Sequence, residues 1–229
     1  MKTKLILFSV ICMLLSCAKK HNTTFSGTIK GLSKGTVYLQ QIKDTNLITI
    51  DSIALNGSNK FNFNLDLNEP DVFMLYLDKK DGTIFNDRLK IFLQPGEIKL
   101  TTKLEDFNNS AKMTGSPNQL KLEEYNAMIQ KFNIDDFKLA QLNNFAQKSG
   151  RQDYVDATIK DLDKLIKRKY LYSVNFALNN KNLEIAPYIA VSEINDINIK
   201  YLDTIYKSLP EQIKTSKYGI QLEALRHPK

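Results

Sequence analysis

Between residues 25 and 116 apolar and polar side chains alternate with a period of two. Phe61, Phe63, Leu65 and Leu67 are interleaved with Asn62, Asn64 and Asp66, the pattern of a strand with one buried and one wet face. The turn-forming Asn56-Gly57-Ser58-Asn59 precedes it, and Ile48, Ile50 and Ile53 mark the strand before, so these two are expected to form a hairpin. Thr23 to Lys30 and Thr36 to Gln41, joined by Gly31-Leu32-Ser33-Lys34-Gly35, are expected to form another. Val72 to Leu77 is apolar on both faces and predicts a central strand. Asp81-Gly82 then supplies a turn, and Ile91 to Leu93 and Ile98 to Leu100 flank Gln94-Pro95-Gly96, where proline fixes φ and glycine relieves the bend. Many short strands at this spacing predict an antiparallel β-sandwich or open barrel.

After Gly115-Ser116-Pro117 the period becomes helical. Tyr125, Met128, Ile129 and Phe132 share one face, and Phe137, Leu142 and Phe145 extend it beyond an irregularity expected near Asn133. Val155, Ile159, Leu162, Ile166, Tyr170, Val174 and Ala177 form a longer stripe that Asn179-Asn180 ends. Pro187 suits the first turn of a further helix. Ile199, Leu202, Ile205, Tyr206 and Leu209 line another, and Pro210 opens the last. The fold class is α+β: a β domain over residues 25–116 and an α-helical region over 117–229. No low-complexity linker separates them, so they are expected to pack together.

The N-terminus has a pattern of its own. Lys2 and Lys4 precede the apolar run Leu5 to Leu15, about half of the roughly 20 residues needed to cross a bilayer core. It has the form of an export signal. Leu14-Leu15-Ser16-Cys17 resembles a bacterial lipobox. That resemblance implies a signal peptide over residues 1–16, cleavage between Ser16 and Cys17, and lipidation of Cys17 by S-diacylglycerol and an N-acyl (palmitate-type) chain. Residues 17–24 are then a lipidated tether. Two or more acyl chains hold stably where one holds weakly, and Lys19 and Lys20 can sit against anionic headgroups. In the group this resembles, acidic residues after the cysteine accompany surface export. Ala18-Lys19-Lys20-His21-Asn22 has none, so the expected location is the cell envelope, at the periplasmic face of the outer membrane.

Charge and cysteine usage narrow the chemistry. The formal charge is +7 and falls by two, to +5, without Lys2 and Lys4, and opposite signs are interspersed. Lys167-Arg168-Lys169 is the densest basic cluster; no aromatic platform accompanies it, so nucleic acid is not an expected partner. The two cysteines, Cys12 and Cys17, fall in the leader and its processing site. Beyond them the sequence offers no thiol for a disulfide, a nucleophile or a metal.

Phe25-Ser26-Gly27-Thr28-Ile29-Lys30-Gly31-Leu32 followed by Gly35-Thr36-Val37-Tyr38-Leu39 resembles the start of the domain-of-unknown-function 4369 family. Asp51-Ser52, the Phe61 strand, Phe92-Leu93-Gln94-Pro95-Gly96-Glu97-Ile98 and Met113-Thr114-Gly115-Ser116-Pro117-Asn118 occur in the family's order. In that family the domain commonly opens periplasmic thiol-disulfide interchange lipoproteins and is followed by a helical segment and a thioredoxin-like domain. Leu202 to Leu225, including Ser216-Lys217-Tyr218-Gly219, resembles the end of that helical segment. This sequence contains no Cys-x-x-Cys, so the relatives' redox residues have no counterpart in it.

The remaining candidates read as structure. Asp78-Lys79-Lys80-Asp81-Gly82 has lysines where a calcium loop needs oxygens and reads as a hairpin turn. Glu123-Glu124 and Asp135-Asp136 are adjacent on a helix and so point apart, unlike a facing acid-base pair. His21 in the tether and His227 at the end of the chain belong to no nucleophile-base set. Of Tyr154, Tyr170, Tyr172, Tyr188, Tyr201, Tyr206 and Tyr218, most are expected in core or rim, with a subset free to line a groove for a peptide or glycan. The expectation is a membrane-anchored, non-catalytic binding or scaffolding module without cofactor or metal, whose partners are the membrane and an envelope protein. An accessory of a separate thioredoxin-like protein is the alternative, and a hydrolase with a dispersed site a remote one.

Overall fold

The structure, a computed structural model, describes residues 21–43, 46–82 and 87–227. Ser16, Cys17 and the leader lie outside them. Eight strands come first: β1 (Thr23–Lys30), β2 (Lys34–Lys43), β3 (Asn46–Asn56), β4 (Lys60–Leu65), β5 (Asp71–Asp78), β6 (Asp87–Leu93), β7 (Gly96–Lys103) and β8 (Lys112–Thr114). They build two four-stranded sheets with orders β4-β1-β7-β8 and β3-β2-β5-β6. Their inward faces form one core, with Phe25, Phe63 and Ile98 from the first sheet meeting Leu39, Leu75 and Ile91 from the second, all fully buried. Each such side chain removed from water contributes about 1.5–3 kcal/mol. Val72 to Leu77 lies in β5, between β2 and β6, as its two-faced apolar pattern predicts.

Two expected hairpins are not formed. β1 and β2 lie in different sheets, and so do β3 and β4. β4 pairs instead with β1, β3 pairs with β2, and β1 runs parallel to β7 in a fold otherwise antiparallel among the described strands. Period-two alternation states which face is buried and is silent about which strand lies alongside. Thr23 and Thr24, expected from sequence both in the tether and in the first strand, are the first residues of β1. Asn22 is already fixed, its carbonyl accepting from Gly96 and its amide Nδ2 donating to the Leu67 carbonyl.

The helices are α1 (Pro117–Lys148), α2 (Gln152–Asn179), α3 (Ile185–Glu193), α4 (Ile199–Ser208), α5 (Glu211–Lys214) and α6 (Lys217–Arg226). Gly115 separates strand from helix at φ +94°, where an added Cβ would lie 2.0 Å from the Glu97 carbonyl oxygen. Ser116 then caps α1 by accepting from Gln119 N, and Pro117 occupies the first turn, where its missing N–H costs nothing. The irregularity expected near Asn133 does not exist. Its side chain accepts from Lys169 Nζ across the α1/α2 pair at 3.0 Å, which leaves the local backbone helical. Pro210 opens the short α5, and a separate helix, α6, follows behind a Ser216 cap.

The halves pack together as the sequence predicts. Phe92, on the outward face of β6, joins Leu122, Tyr125, Phe176, Ile185 and Ile189 in a second core. Gln119 Oε1 accepts from the Phe92 N–H at 2.7 Å, which satisfies a donor on the free edge of the sheet. The distal parts of α1 and α2 extend past this contact. Phe137, Leu142 and Phe145 there are 63%, 57% and 68% exposed. No described helix is long and apolar enough to cross a membrane.

Candidate functional site

Where α3 and α6 cross the outer face of the β5/β6 sheet, they leave a cleft of about 790 Å³, within the range of small-molecule sites. Alternation along the strands builds its floor. With Phe73 and Leu75 turned into the sandwich core, Val72 and Met74 point the other way, as does Lys90 beside Ile91. The end of β2 adds Gln41, Ile42 and Lys43, while α3 supplies Tyr188 and Ser192 and α6 supplies Lys217, Tyr218 and Gln221.

One wall is held by a buried carboxylate. Asp71 accepts from Gln41 Nε2 at 2.6 Å, from Lys217 Nζ at 2.7 and 2.8 Å, from the Tyr218 hydroxyl at 2.5 Å and from its neighbour Val72 N at 2.7 Å. Four protein donors thus surround it, and it acts as the anchor between sheet and helices. Glu69 accepts from Lys217 N at 2.7 Å, so the first turn of α6 is fixed twice. Gly219 lets α6 pack closely on the end of α5, since a Cβ there would lie 2.1 Å from the Ile213 carbonyl oxygen. Burial, reinforced by the Asp71 carboxylate and its hydrogen bond, raises the Tyr218 pKa far above that of an ordinary phenol.

The opposite wall carries a freer cation. Lys90 Nζ lies 5.8 Å from the Tyr188 ring centroid and 3.6 Å from Glu193 Oε1. Burial opposes its charge, but the Tyr188 phenol and the Glu193 carboxylate outweigh it and the pKa is raised. At 3.6 Å the Glu193 ion pair is longer than a hydrogen bond, and the Lys90 side chain stays 42% exposed, so the paired ammonium is reachable from the cleft. A smaller depression, about 380 Å³ between α1 and α2, is edged by Asp161 and Lys164, which bond each other at 2.8 Å.

Of the residues weighed from sequence, Tyr188 and Tyr218 reach the cleft. Tyr172 packs between Tyr125 and Phe176, Tyr170 donates to Asp196, Tyr206 lies under Arg226, and Tyr154 and Tyr201 are exposed. Asp78 accepts from Lys80 N and pairs with Lys80 Nζ, which places a cation where a calcium ion would sit. Glu123 and Glu124 bond Gln119 and Lys121 on their own helix, and Asp135 faces Lys138 at 3.9 Å. Arg168 lies over Phe132 at 5.9 Å, beside the Lys169 bond to Asn133. His21 faces Asp66 at 3.4 Å, at the opening of β1. Among the described residues no three His, Cys, Asp or Glu side chains converge as a metal site. Asp71, Lys90 and Lys217 were not legible as site residues. The one available signal was the Ser216-Lys217-Tyr218-Gly219 segment, which stood out by resemblance and not by chemistry.

Residues 23–122 match the family model described as Domain of unknown function (DUF4369). The match takes in all eight strands and the first turns of α1. No curated protein matches the chain.

Proposed function

We propose that this DUF4369 domain, with the helices packed on its outer sheet, is a non-catalytic binding module held at the periplasmic face of a bacterial envelope by lipid on Cys17. The observation that carries the binding role is the cleft between α3, α6 and the β5/β6 sheet. Its walls come from both halves of the chain and its shape is fixed by the Asp71 anchor, so it is preorganised, and little ordering opposes binding. The anchor rests on the lipobox resemblance. Cys17→Ser in the full chain is expected to move the protein from the membrane fraction to the soluble envelope fraction; continued membrane association removes the anchor from this reading. For the binding role, Met74→Trp is expected to fill the cleft and abolish ligand-induced thermal stabilisation by envelope extracts while leaving the fold intact. Reproducible turnover of a disulfide or glycan substrate by the purified protein overturns the non-catalytic reading.

A further inference from the structure

We infer that the cleft takes an amphipathic organic anion, its acidic group held by Lys90 and Lys43 and its apolar body laid along Val72, Met74, Tyr188 and the exposed Ile42. The inference rests on the binding reading above and names its ligand class. Among the described residues, three lysines and one carboxylate line the cleft. Asp71 neutralises Lys217 in contacts of 2.7 and 2.8 Å and Glu193 pairs more loosely with Lys90 at 3.6 Å, which leaves Lys43 as the excess positive charge and Lys90 as a cation held by a long pair. Glu193, outside the lining, stands 3.6 Å from Lys90, longer than a charge-assisted hydrogen bond, so a ligand anion can make the shorter contact to the same ammonium.

Of the rest of the lining, Ile42, Val72, Met74, Tyr188 and Tyr218 are apolar or aromatic, and Gln41, Ser192 and Gln221 are polar. Ile42 stands 60% exposed at the end of β2 and offers apolar surface at the mouth of the cleft. Beside it Lys43 presents charge, so the mouth is basic and greasy at once. A purely polar anion would leave the Ile42, Val72 and Met74 surface wet, and a neutral hydrophobe would cover the Lys43 and Lys90 ammonium groups while giving them no new partner. An anion with an apolar body satisfies both.

Two dyes that differ by one charge test this on the mature protein. 1-Anilinonaphthalene-8-sulfonate is expected to bind with fluorescence enhancement, and its uncharged parent N-phenyl-1-naphthylamine more weakly by about tenfold, the worth of one charge-assisted bond. Lys90→Gln and Lys43→Gln should weaken the sulfonate by a similar factor and leave the parent unchanged, while Met74→Ser should weaken both. Displacement by dissolved dodecanoate identifies a free amphiphile, and displacement by phosphatidylglycerol vesicles alone identifies a lipid headgroup; either supports the class. Equal binding of the two dyes, or indifference of the sulfonate to both lysine variants, overturns the anion and leaves the cleft as a site. Failure of both dyes to bind removes the cleft itself and the binding reading with it.

Discussion

Asp71 joins strand to helix through partners 30 residues back and almost 150 residues on in the chain. Removing it strands several donors at once. Asp71→Ala is expected to cost about 3 kcal/mol, the lower end for a broken buried pair, because Lys217 keeps 31% of its side chain in solvent. Urea denaturation followed by circular dichroism measures it, and a change below half that value would mean water replaces the carboxylate. The same anchor sets a pH limit. Tyr218 and Tyr125 are both raised by burial, Tyr218 further by Asp71, while a Ser173 hydrogen bond partly offsets the shift at Tyr125. The unfolded chain releases these protons near pH 10.0 and the folded chain holds them. Stability is therefore complete below pH 10 and falls above it, by about 1.4 kcal/mol per pH unit for each retained proton. Tyr218→Phe should reduce that slope by one proton in unfolding curves taken between pH 9 and 11.5.

At the scale of elements, α1 serves two purposes along its length. Its first turns lie against β6 through Gln119, Leu122 and Tyr125, whereas its distal half is paired with α2 and carries exposed Phe137 and Phe145. Amide exchange is expected to be slow over residues 118–129 and faster over 134–160, because opening the distal pair sacrifices little buried surface. Phe145→Ser, at a side chain 68% exposed, should change stability by no more than about 0.5 kcal/mol; a larger loss in thermal unfolding would mean that this stripe is covered in solution. The strands show the converse case. The positions of β1 to β7 were legible from alternation and turn residues, and so was the central place of β5, whereas the three-residue β8 was too short to show a period. The pairings of β1 with β4 and β7 were not, because a crossover and a hairpin can use the same Gly-Ser-Asn turn chemistry. Only the two-layer arrangement distinguishes them.

For the molecule as a whole, Phe92 decides that the two halves depend on each other. It is wholly buried although it faces away from the sandwich core, and the helices alone cover it. Expressed by itself, the segment 21–116 would expose Phe92 and Val72 and leave Asp71 without Lys217 and Tyr218. It is expected to self-associate or to unfold at a clearly lower temperature than the segment 21–229, as read by light scattering and calorimetry. Independent folding of that segment at undiminished stability would separate the halves into autonomous domains. One cooperative transition for the intact chain is the matching expectation.

Local rules read from the sequence settled the α+β class, the change of period at Gly115-Ser116-Pro117 and the family resemblance. Each depends on a few neighbouring residues: alternation for strands, 3.6-residue spacing for helices, a short Gly-Ser-Pro break between them. The cleft depends on none of these. Lys90 reads locally as a wet strand position, Asp71 as a turn residue and Lys217 as a helix-start charge. They acquire a joint role because β2, β5, β6, α3 and α6 converge there, and such convergence is set by long-range packing that no short window of sequence contains.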